Sequence, residues 1–427
     1  MKKTILLTLL VLSGYSVSAQ NSSSYFGVNL ACAEFGSTFP GTYNSDYTYP
    51  STSELDYFSA KGLKLIRLPI KWERIQPTLG GALDVNELNR IHLFINNANT
   101  RNMVVIIDLH NYCRRSIGGT EYLIGSTNVS INNITDMWFR LADALKAHTN
   151  IWGYGLMNEP HDLLTSATWL TISQKLIDAI RTTDLTTSII VGGDSWSSAA
   201  RWMQFSDNLK NLKDPSNKLI FEAHVYFDAD ASGQYLKTYD LEGATPNTGI
   251  TRVTPFVNWL QTNKLKGFIG EYGVPKSDSR WLTVLDNFLS YLKSNCINGT
   301  YWAAGPWWGN YALSIEPKAS VDAPQMAIVK KYLTIDGPNC VSAGIDDVKA
   351  SSGLQIFPNP TNDFITIKRE TANTNGTFVI LNEIGQQVFS GDLYGETTRV
   401  DIRQLMAGSY ILNVLGNDKQ SIKLIRQ

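Results

Sequence analysis

The chain has 427 residues, with 37 basic and 38 acidic side chains and a net charge of -1. This length exceeds the size at which a single hydrophobic core keeps growing, so we expect more than one domain. Charges of both signs are interspersed along the chain, which excludes the basic surface of a nucleic-acid-binding protein and an acidic interaction tail.

The first residues have the features of a secretory signal peptide. Lys2 and Lys3 precede an apolar run over residues 4–12, and the small residues 17–19 form a cleavage site before Gln20. We therefore expect residues 1–19 to be removed and the protein to be exported. No later stretch approaches the ~18 apolar residues of a membrane-spanning helix, so we expect no transmembrane segment.

Residues 25–340 alternate short apolar strands with amphipathic helices, the pattern of a parallel α/β fold. The predicted strands cover residues 25–29, 63–69, 103–109, 151–157, 188–192, 219–225, 267–270 and 299–302. The predicted helices cover residues 53–61, 85–101, 134–148, 165–182, 254–263 and 280–294. Eight βα units in about 315 residues predict a TIM (β/α)8 barrel with loop insertions.

In a TIM barrel, the carboxyl ends of the strands carry the catalytic side chains. Glu159 follows the fourth predicted strand, and Pro160 has no N–H to donate to a ladder, so we expect that strand to end at Glu159. The other strand ends carry Asn29, Arg67, His110, Asn111, Asn158, Asp194, Trp196, His224, Tyr226, Glu271, Tyr272 and Trp302. Burying two glutamates, two histidines and an arginine on one rim is costly in a barrel that is only a scaffold.

Two rim carboxylates on different strands, Glu159 and Glu271, suggest glycoside hydrolysis. One carboxylic acid protonates the leaving oxygen, while the other attacks the anomeric carbon or activates a water molecule. A separation of about 5–5.5 Å between the carboxyl groups predicts retention of configuration, and about 6.5–9.5 Å predicts inversion. The sequence leaves both outcomes open.

Four cysteines in an oxidising compartment allow three disulfide pairings. We favour a bridge between Cys296 and Cys340, which would connect the last strand region to the end of the barrel domain. Cys32 and Cys113 then either pair with each other or are small buried hydrophobic residues.

The composition changes after residue 340. Residues 341–353 form a small, polar linker, and residues 354–427 show alternating patterns over 364–368, 378–381, 387–390 and 410–414. This pattern predicts a small all-β sandwich, to which we assign no chemistry because it contains neither cysteine nor histidine. The predicted organisation is a signal peptide (1–19), a barrel domain (20–340), a linker (341–353) and a β-sandwich module (354–427).

Seven motifs follow one another along the barrel region: Phe26-Gly-Val-Asn-Leu, Ile66-Arg-Leu-Pro, Asp108-Leu-His-Asn-Tyr, Leu156-Met-Asn-Glu-Pro-His-Asp, Phe221-Glu-Ala-His-Val-Tyr, Gly270-Glu-Tyr-Gly and Tyr301-Trp. In this order they resemble glycoside hydrolase family 5. Its endo-β-1,4-glucanase (cellulase) branch is the most similar, through Asn158-Glu-Pro-His-Asp, Gly193-Asp-Ser-Trp and Phe227-Asp-Ala-Asp-Ala-Ser-Gly.

The resemblance implies a retaining double displacement, with Glu271 as the nucleophile and Glu159 as the acid and then the base. It implies that Arg67 and Tyr226 keep Glu271 ionised and oriented, and that Asn158 binds the sugar 2-hydroxyl. The remaining supporting or substrate-binding residues are His110, Asn111, His224 and Trp302, the last stacking beneath the sugar. Further sugar subsites are expected at Trp72, Trp196, Trp307 and Trp308, and neither a metal nor an organic cofactor is implied.

Other functions are compatible with parts of this pattern. An endo-β-mannanase or a mixed-linkage or xyloglucan glucanase would use the same fold and mechanism. A metal-dependent barrel hydrolase would need a ligand cluster such as a His-x-His pair on the first strand, where this chain has Asn29. A non-catalytic glycan-binding protein would lack one of the carboxylates, and both are present.

The last 74 residues carry a second resemblance. Leu354-Gln-Ile-Phe-Pro-Asn-Pro, Ile384-Gly-Gln, Leu405-Met-Ala-Gly-Ser-Tyr and Lys423-Leu-Ile-Arg are similar to the C-terminal sorting domain of the type IX secretion system. This implies periplasmic transit, an extracellular or cell-surface location, and the type IX machinery as a partner. The glycoside hydrolase resemblance implies a β-glucan polysaccharide as the other partner, and we expect a monomer. A carbohydrate-binding sandwich is the alternative, which the scarcity of aromatic residues on its strands disfavours.

Overall fold

The computed structural model describes residues 26–333, 354–369, 376–382, 386–415 and 420–427. The chain divides into two compact units, residues 1–340 and 341–427. The signal peptide, the linker and Cys340 lie outside the described residues, and the domain boundaries placed there stay predictions. None of the helices in the described part of the chain has the length and apolar character needed to cross a membrane.

The first unit contains a closed barrel of parallel strands. Its strands are β1 (Gly27–Leu30), β2 (Leu65–Ile70), β3 (Val104–Leu109), β6 (Ile151–Gly155), β7 (Ser188–Gly192), β8 (Leu219–Val225), β9 (Gly267–Tyr272) and β10 (Asn298–Ala304). They pair in sequence order, and β10 returns to β1. A hairpin of β4 (Arg114–Ile117) and β5 (Thr120–Leu123) lies outside the barrel sheet. The predicted TIM barrel is confirmed.

The helices lie between these strands, except the last, which follows β10. They are α1 (Thr52–Ala60), α2 (Trp72–Ile75), α3 (Val85–Asn99), α4 (Ile131–Leu145), α5 (Trp169–Arg181), α6 (Trp202–Phe205), α7 (Thr248–Asn263), α8 (Arg280–Ser294) and α9 (Pro324–Val329). Four of them begin after a side chain that accepts a hydrogen bond from the first turn, namely Ser51, Asp84, Ser130 and Thr168. These caps fix where the helices start.

Successive strand residues face opposite sides of the sheet, which divides the apolar residues into two sets. Ile66, Val105, Ile189 and Phe221 belong to the main hydrophobic core with the helices. Leu65, Ile106, Ile190, Ile220 and Phe268 form a separate buried cluster inside the barrel. Two residues further along β2, β3 and β8, the inward side chains become charged, which brings polar groups to the carboxyl ends of the strands.

Several predicted element bounds differ from the structure, and those of β6 and α7 bear on the site and its loops. β6 ends at Gly155, not at Glu159. Single hydrogen bonds to the neighbouring strands follow it, from Leu156 N–H to Ile190 O and from Asn158 N–H to Leu109 O, and the extended backbone stops at Glu159, whose φ is 44°. Helix α7 begins six residues before the predicted start at residue 254, with Pro255 inside it.

The second unit is an all-β sandwich, as predicted. Its strands are β11 (Leu354–Phe357), β12 (Phe364–Arg369), β13 (Gly376–Leu381), β14 (Gln387–Leu393), β15 (Thr397–Asp401), β16 (Gly408–Leu415) and β17 (Gln420–Arg426). They form antiparallel sheets ordered β11-β12-β15 and β14-β13-β16-β17. Ile365 and Ile367 from one sheet share a core with Phe378, Ile380 and Leu412 from the other.

The cysteines follow one of the two alternatives. Cys32 and Cys113 are free and buried, so a bridge between them is wrong and they act as small buried hydrophobic residues. Cys296 is disulfide-bonded. Because Cys340 lies outside the described residues, its pairing with Cys296 stays a prediction.

Candidate active site

Arg67, on β2, is the centre of the charged layer inside the barrel. Its guanidinium is fully buried and forms ion pairs with three carboxylates, Asp108 at 2.9 Å, Glu222 at 3.0 Å and Glu271 at 3.1 Å. It also donates hydrogen bonds to Asn29 Oδ1 at 3.0 Å and Asn158 Oδ1 at 2.8 Å. One cation therefore fixes side chains from five barrel segments.

Glycines in neighbouring strands make room for this layer. A Cβ atom on Gly270 would lie 1.7 Å from Oε1 of Glu222, and one on Gly155 would lie 2.9 Å from Oδ1 of Asp108. Strand β9, which carries Glu271, and strand β6, which leads to Glu159, therefore have no side chain at the positions next to the carboxylates of Glu222 and Asp108. Their sequence is shaped by this packing.

Glu271, near the end of β9, is held on both carboxyl oxygens. Oε1 contacts Arg67, and Oε2 accepts a 2.7 Å hydrogen bond from the Tyr226 hydroxyl. Burial raises the pKa of Glu271, and the charge of Glu159 adds to this, while His224, Arg67 and the Tyr226 hydrogen bond oppose it. The cations and the phenol thus offset part of the cost of burying an ionised carboxylate.

Glu159 stands beyond β6 in a left-handed backbone conformation with φ of 44°. Such a φ is strained for a residue with a Cβ and occurs often at functional sites. Its Oε1 lies 2.7 Å from Nδ1 of His224, whose Nε2 lies 3.1 Å from Glu222. Burial lowers the pKa of His224, but the carboxylates of Glu271, Glu159 and Glu222 outweigh it and raise that pKa to about 10.

His110 and Trp302 form an aromatic wall of the site. The two rings stack with centroids 5.6 Å apart and an interplanar angle of 10°. His110 Nδ1 lies 2.9 Å from Asp108, and its Nε2 lies 3.2 Å from the Asn158 amide nitrogen. Burial lowers the pKa of His110 well below its ordinary value, and Arg67, Lys71 and His224 add to this, so His110 is neutral beside its charged neighbours.

Eight of the nine predicted site residues therefore form one connected network: Arg67, His110, Asn158, Glu159, His224, Tyr226, Glu271 and Trp302. The ninth, Asn111, has a different role. Its amide accepts from Trp72 N–H and donates to Glu73 and to Arg114 O, so it connects the loop after β3 to α2 and the hairpin.

Two buried acids, Asp108 and Glu222, have no assigned role in the sequence analysis, although both contact Arg67. Each precedes a site histidine by two residues and therefore faces the same side of its strand. An acidic residue at that spacing before a strand-end histidine is the signal that could have identified them. Burial raises the pKa of Asp108 well above its ordinary value despite Arg67, whereas Arg67 and His224 overcome burial and lower the pKa of Glu222.

The candidate subsite tryptophans differ in accessibility. Trp72 is fully buried and donates to Gln76, so a sugar subsite there is wrong. Trp196 is 39% exposed and stacks on His161 at 4.3 Å, and Trp307 is 40% exposed. Trp308 packs edge-on against Trp302 and stacks on Tyr311, which extends the aromatic wall of the site.

Glu159, His224 and Glu271 are also the group of described residues whose ligand atoms are close enough for a metal ion, all within 4.8 Å of one another. Their protonation and charge do not suit one. Both nitrogens of His224 face carboxylate oxygens, and the raised pKa favours the imidazolium, a form with no lone pair for a metal. Arg67 already places a cation against Glu271.

Comparison with known proteins gives two matching family models. Residues 23–307 match the model described as cellulase (glycosyl hydrolase family 5), and residues 355–426 match the secretion system C-terminal sorting domain. The endo-β-1,4-glucanase B of Aspergillus niger is 32% identical over 298 residues, which cover 69% of this chain and 85% of the relative.

Solved structures give the same result for the barrel. The Pseudomonas stutzeri endoglucanase Cel5A, in complex with cellobiose, is 38% identical with a TM-score of 0.68, over 72% of this chain and 92% of that chain. An endo-β-1,4-glucanase from Xanthomonas axonopodis pv. citri is 39% identical with a TM-score of 0.67, over 72% of this chain and 98% of that chain.

Proposed function

The chain belongs to glycosyl hydrolase family 5, and we propose that it is an endo-β-1,4-glucanase that cleaves internal bonds of cellulose or related β-glucans with retention of configuration. Relatives named as endo-β-1,4-glucanases support this choice of bond. The C-terminal sorting domain marks the chain for secretion by the type IX machinery, which suits an enzyme with a polymeric substrate.

The observation that carries the proposal is the closeness of the two rim carboxylates. An oxygen of Glu159 and an oxygen of Glu271 lie within 4.8 Å of each other and of a His224 nitrogen. An inverting enzyme needs about 6.5–9.5 Å between its carboxyl groups to hold a water molecule, whereas a retaining enzyme needs about 5–5.5 Å. The shorter separation supports direct attack by one carboxylate.

In the first step, Glu271 attacks the anomeric carbon and forms a covalent glycosyl ester. Arg67 and Tyr226 each hold one Glu271 oxygen, which orients the carboxylate and favours its ionised form. Glu159 donates its proton to the leaving glycosidic oxygen, so the departing sugar leaves as an alcohol.

In the second step, Glu159 is a carboxylate that takes a proton from water while the water oxygen attacks the same carbon. The ester bond to Glu271 breaks, which regenerates the Glu271 carboxylate. The proton taken from water leaves Glu159 protonated for the next cycle. His224 remains hydrogen-bonded to Glu159 throughout and supplies a positive charge when Glu159 is ionised.

Substrate contacts are assigned to the remaining network. The amide of Asn158 is fixed between Arg67 and His110, which suits a hydrogen bond to the sugar 2-hydroxyl that strengthens in the transition state. Trp302 offers an aromatic face for the sugar ring, supported from behind by His110.

The test is the loss of viscosity and the release of reducing ends from carboxymethyl-cellulose, with β-mannan, mixed-linkage glucan and xyloglucan in parallel. We expect a fast viscosity drop on the cellulose derivative and none with Glu271→Gln, which should still bind glucan. Activity on only one of the other three polymers would identify that polymer, and not cellulose, as the substrate. Inactivity on all four polysaccharides, with glucan binding retained, would indicate a glycan-binding protein instead of an enzyme.

A further inference from the structure

Glu222 is a charged, buried group that the mechanism above does not use. It is on β8, two residues before His224, and is 2% exposed. One of its oxygens, Oε1, lies 3.0 Å from Arg67 Nε and 3.1 Å from His224 Nε2. Glu222 therefore connects the arginine that holds Glu271 with the histidine that holds Glu159.

His224 has an acidic partner on each ring nitrogen. Nδ1 is 2.7 Å from Glu159 and 3.6 Å from Glu271, and Nε2 is 3.1 Å from Glu222. A neutral imidazole has one N–H and can donate to only one side. The charged and titratable groups around this ring are Glu159, Glu222, Glu271, Arg67, Asp108 and His110, of which His110 is neutral.

The position of the proton on Glu159 depends on which nitrogens of His224 are protonated. When Nδ1 carries a proton, it donates a hydrogen bond to Glu159 Oε1, and the acidic proton of Glu159 must then reside on the other carboxyl oxygen. When Nδ1 is bare, it becomes an acceptor and competes with the leaving group for that proton. An ionised partner on Nε2 stabilises the doubly protonated ring.

We propose that Glu222 is a positioning residue that keeps both nitrogens of His224 protonated, so that the acidic proton of Glu159 stays on the oxygen directed away from His224. This inference rests on the proposed function of Glu159 as the acid. Gly270 is part of the arrangement, since a Cβ there would occupy the position of Glu222 Oε1.

Asp108 provides a matched control. It pairs with Arg67 at 2.9 Å and contacts His110 at 2.9 Å, two residues along its own strand, which repeats the geometry of Glu222 on the other side of Arg67. Asp108→Asn therefore removes a carboxylate from Arg67 without touching His224. Glu222→Gln removes a carboxylate from both Arg67 and His224.

The experiment follows the imidazole ¹⁵N signals of the full chain against pH, where five histidines are present and His224 is identified by its absence in His224→Asn. We expect the His224 midpoint of the parent protein near 10. It should fall by about 1–3 pH units in Glu222→Gln and by less than half of that in Asp108→Asn.

A second readout is the leaving group. Glu222→Gln should lose at least ~10-fold more kcat/KM on unactivated cello-oligosaccharides than on an aryl cellobioside, part of the 10²–10⁴ scale of acid catalysis. Asp108→Asn should lose similar factors on both substrates.

A His224 midpoint below 7 in the parent protein overturns the inference, even where Glu222→Gln does not fold. An unchanged midpoint in Glu222→Gln, or an equal shift in Asp108→Asn, overturns it as well. The NMR titration needs no substrate, so a parent protein inactive on every glucan contradicts the proposed function while the titration still decides the protonation of His224.

Discussion

Tyr226 donates a hydrogen bond of 2.7 Å to Oε2 of Glu271, and both side chains are buried. Burial is the largest influence that raises the pKa of Glu271, and this hydrogen bond is one of those that lower it. In Tyr226→Phe the pKa of Glu271 should therefore rise. The acidic limb of the kcat/KM profile should move to higher pH, because more of the nucleophile is protonated at each acidic pH.

A hydrogen bond to a charged group contributes about 1.5–3 kcal/mol, so Tyr226→Phe should lose about 10- to 100-fold at neutral pH. The measurement is kcat/KM from pH 4 to 9 on a soluble cello-oligosaccharide. Tyr235→Phe is a suitable control, because the Tyr235 hydroxyl donates to Gly273 O rather than to the carboxylate. An acidic limb unmoved in Tyr226→Phe would contradict the assignment of Glu271 as the ionised nucleophile.

Glu159→Ala removes the proposed acid and base together. On natural glucans we expect a loss of about 10²- to 10⁴-fold in kcat/KM, the scale of general acid catalysis. With an activated aryl cellobioside the leaving group needs no proton, so the first step should largely survive and a burst of aryl alcohol should precede slow turnover. Stopped-flow measurement of that burst decides the matter; equal loss of the first step on both substrates would exclude Glu159 as the acid.

The barrel could be predicted because its strands are continuous apolar runs between polar turns. β7 and β8 have the predicted bounds, residues 188–192 and 219–225. Helix α7 could not be bounded in the same way, since a proline usually marks the first turn of a helix and Pro255 lies inside this one. The hairpin β4–β5 is short and half-exposed, so it lacks a hydrophobic signal.

The site residues that could be predicted are those at the carboxyl ends of the strands. Asn111 shows the limit, because the residue after a strand can turn either to the barrel mouth or to the loop beneath it, and sequence position does not distinguish the two. Trp72 shows another, since it begins the short helix α2 and packs in the core under Arg115 rather than facing the site. Asp108 and Glu222 have a signal in the sequence, since each precedes a strand-end histidine by two residues, but their shared contact with Arg67 is visible only in the structure.

Asn111→Ala should lower stability rather than turnover. The change leaves the buried N–H of Trp72 without its acceptor and takes a donor from Glu73, each costing about 1–3 kcal/mol. We expect a lower Tm with kcat on an aryl cellobioside largely retained, whereas His110→Ala, beside Asn158 and Trp302, should lower kcat. If Asn111→Ala lowered kcat as much as His110→Ala does and left the Tm unchanged, Asn111 would be a substrate-binding residue and not a structural one.

Glu34 should make the stability of the barrel depend on pH. It is 7% exposed, it accepts a hydrogen bond from Cys32 N–H, and burial raises its pKa from 4.5 to about 7. Between these pH values the folded protein keeps a proton that the unfolded chain has released, so the free energy of unfolding falls as pH rises, by up to about 3 kcal/mol. Glu34→Gln keeps an acceptor for Cys32 N–H but does not titrate. Its Tm relative to that of the parent protein should therefore rise between pH 4.5 and 7.5, and a Tm difference independent of pH would show that Glu34 titrates alike in both states.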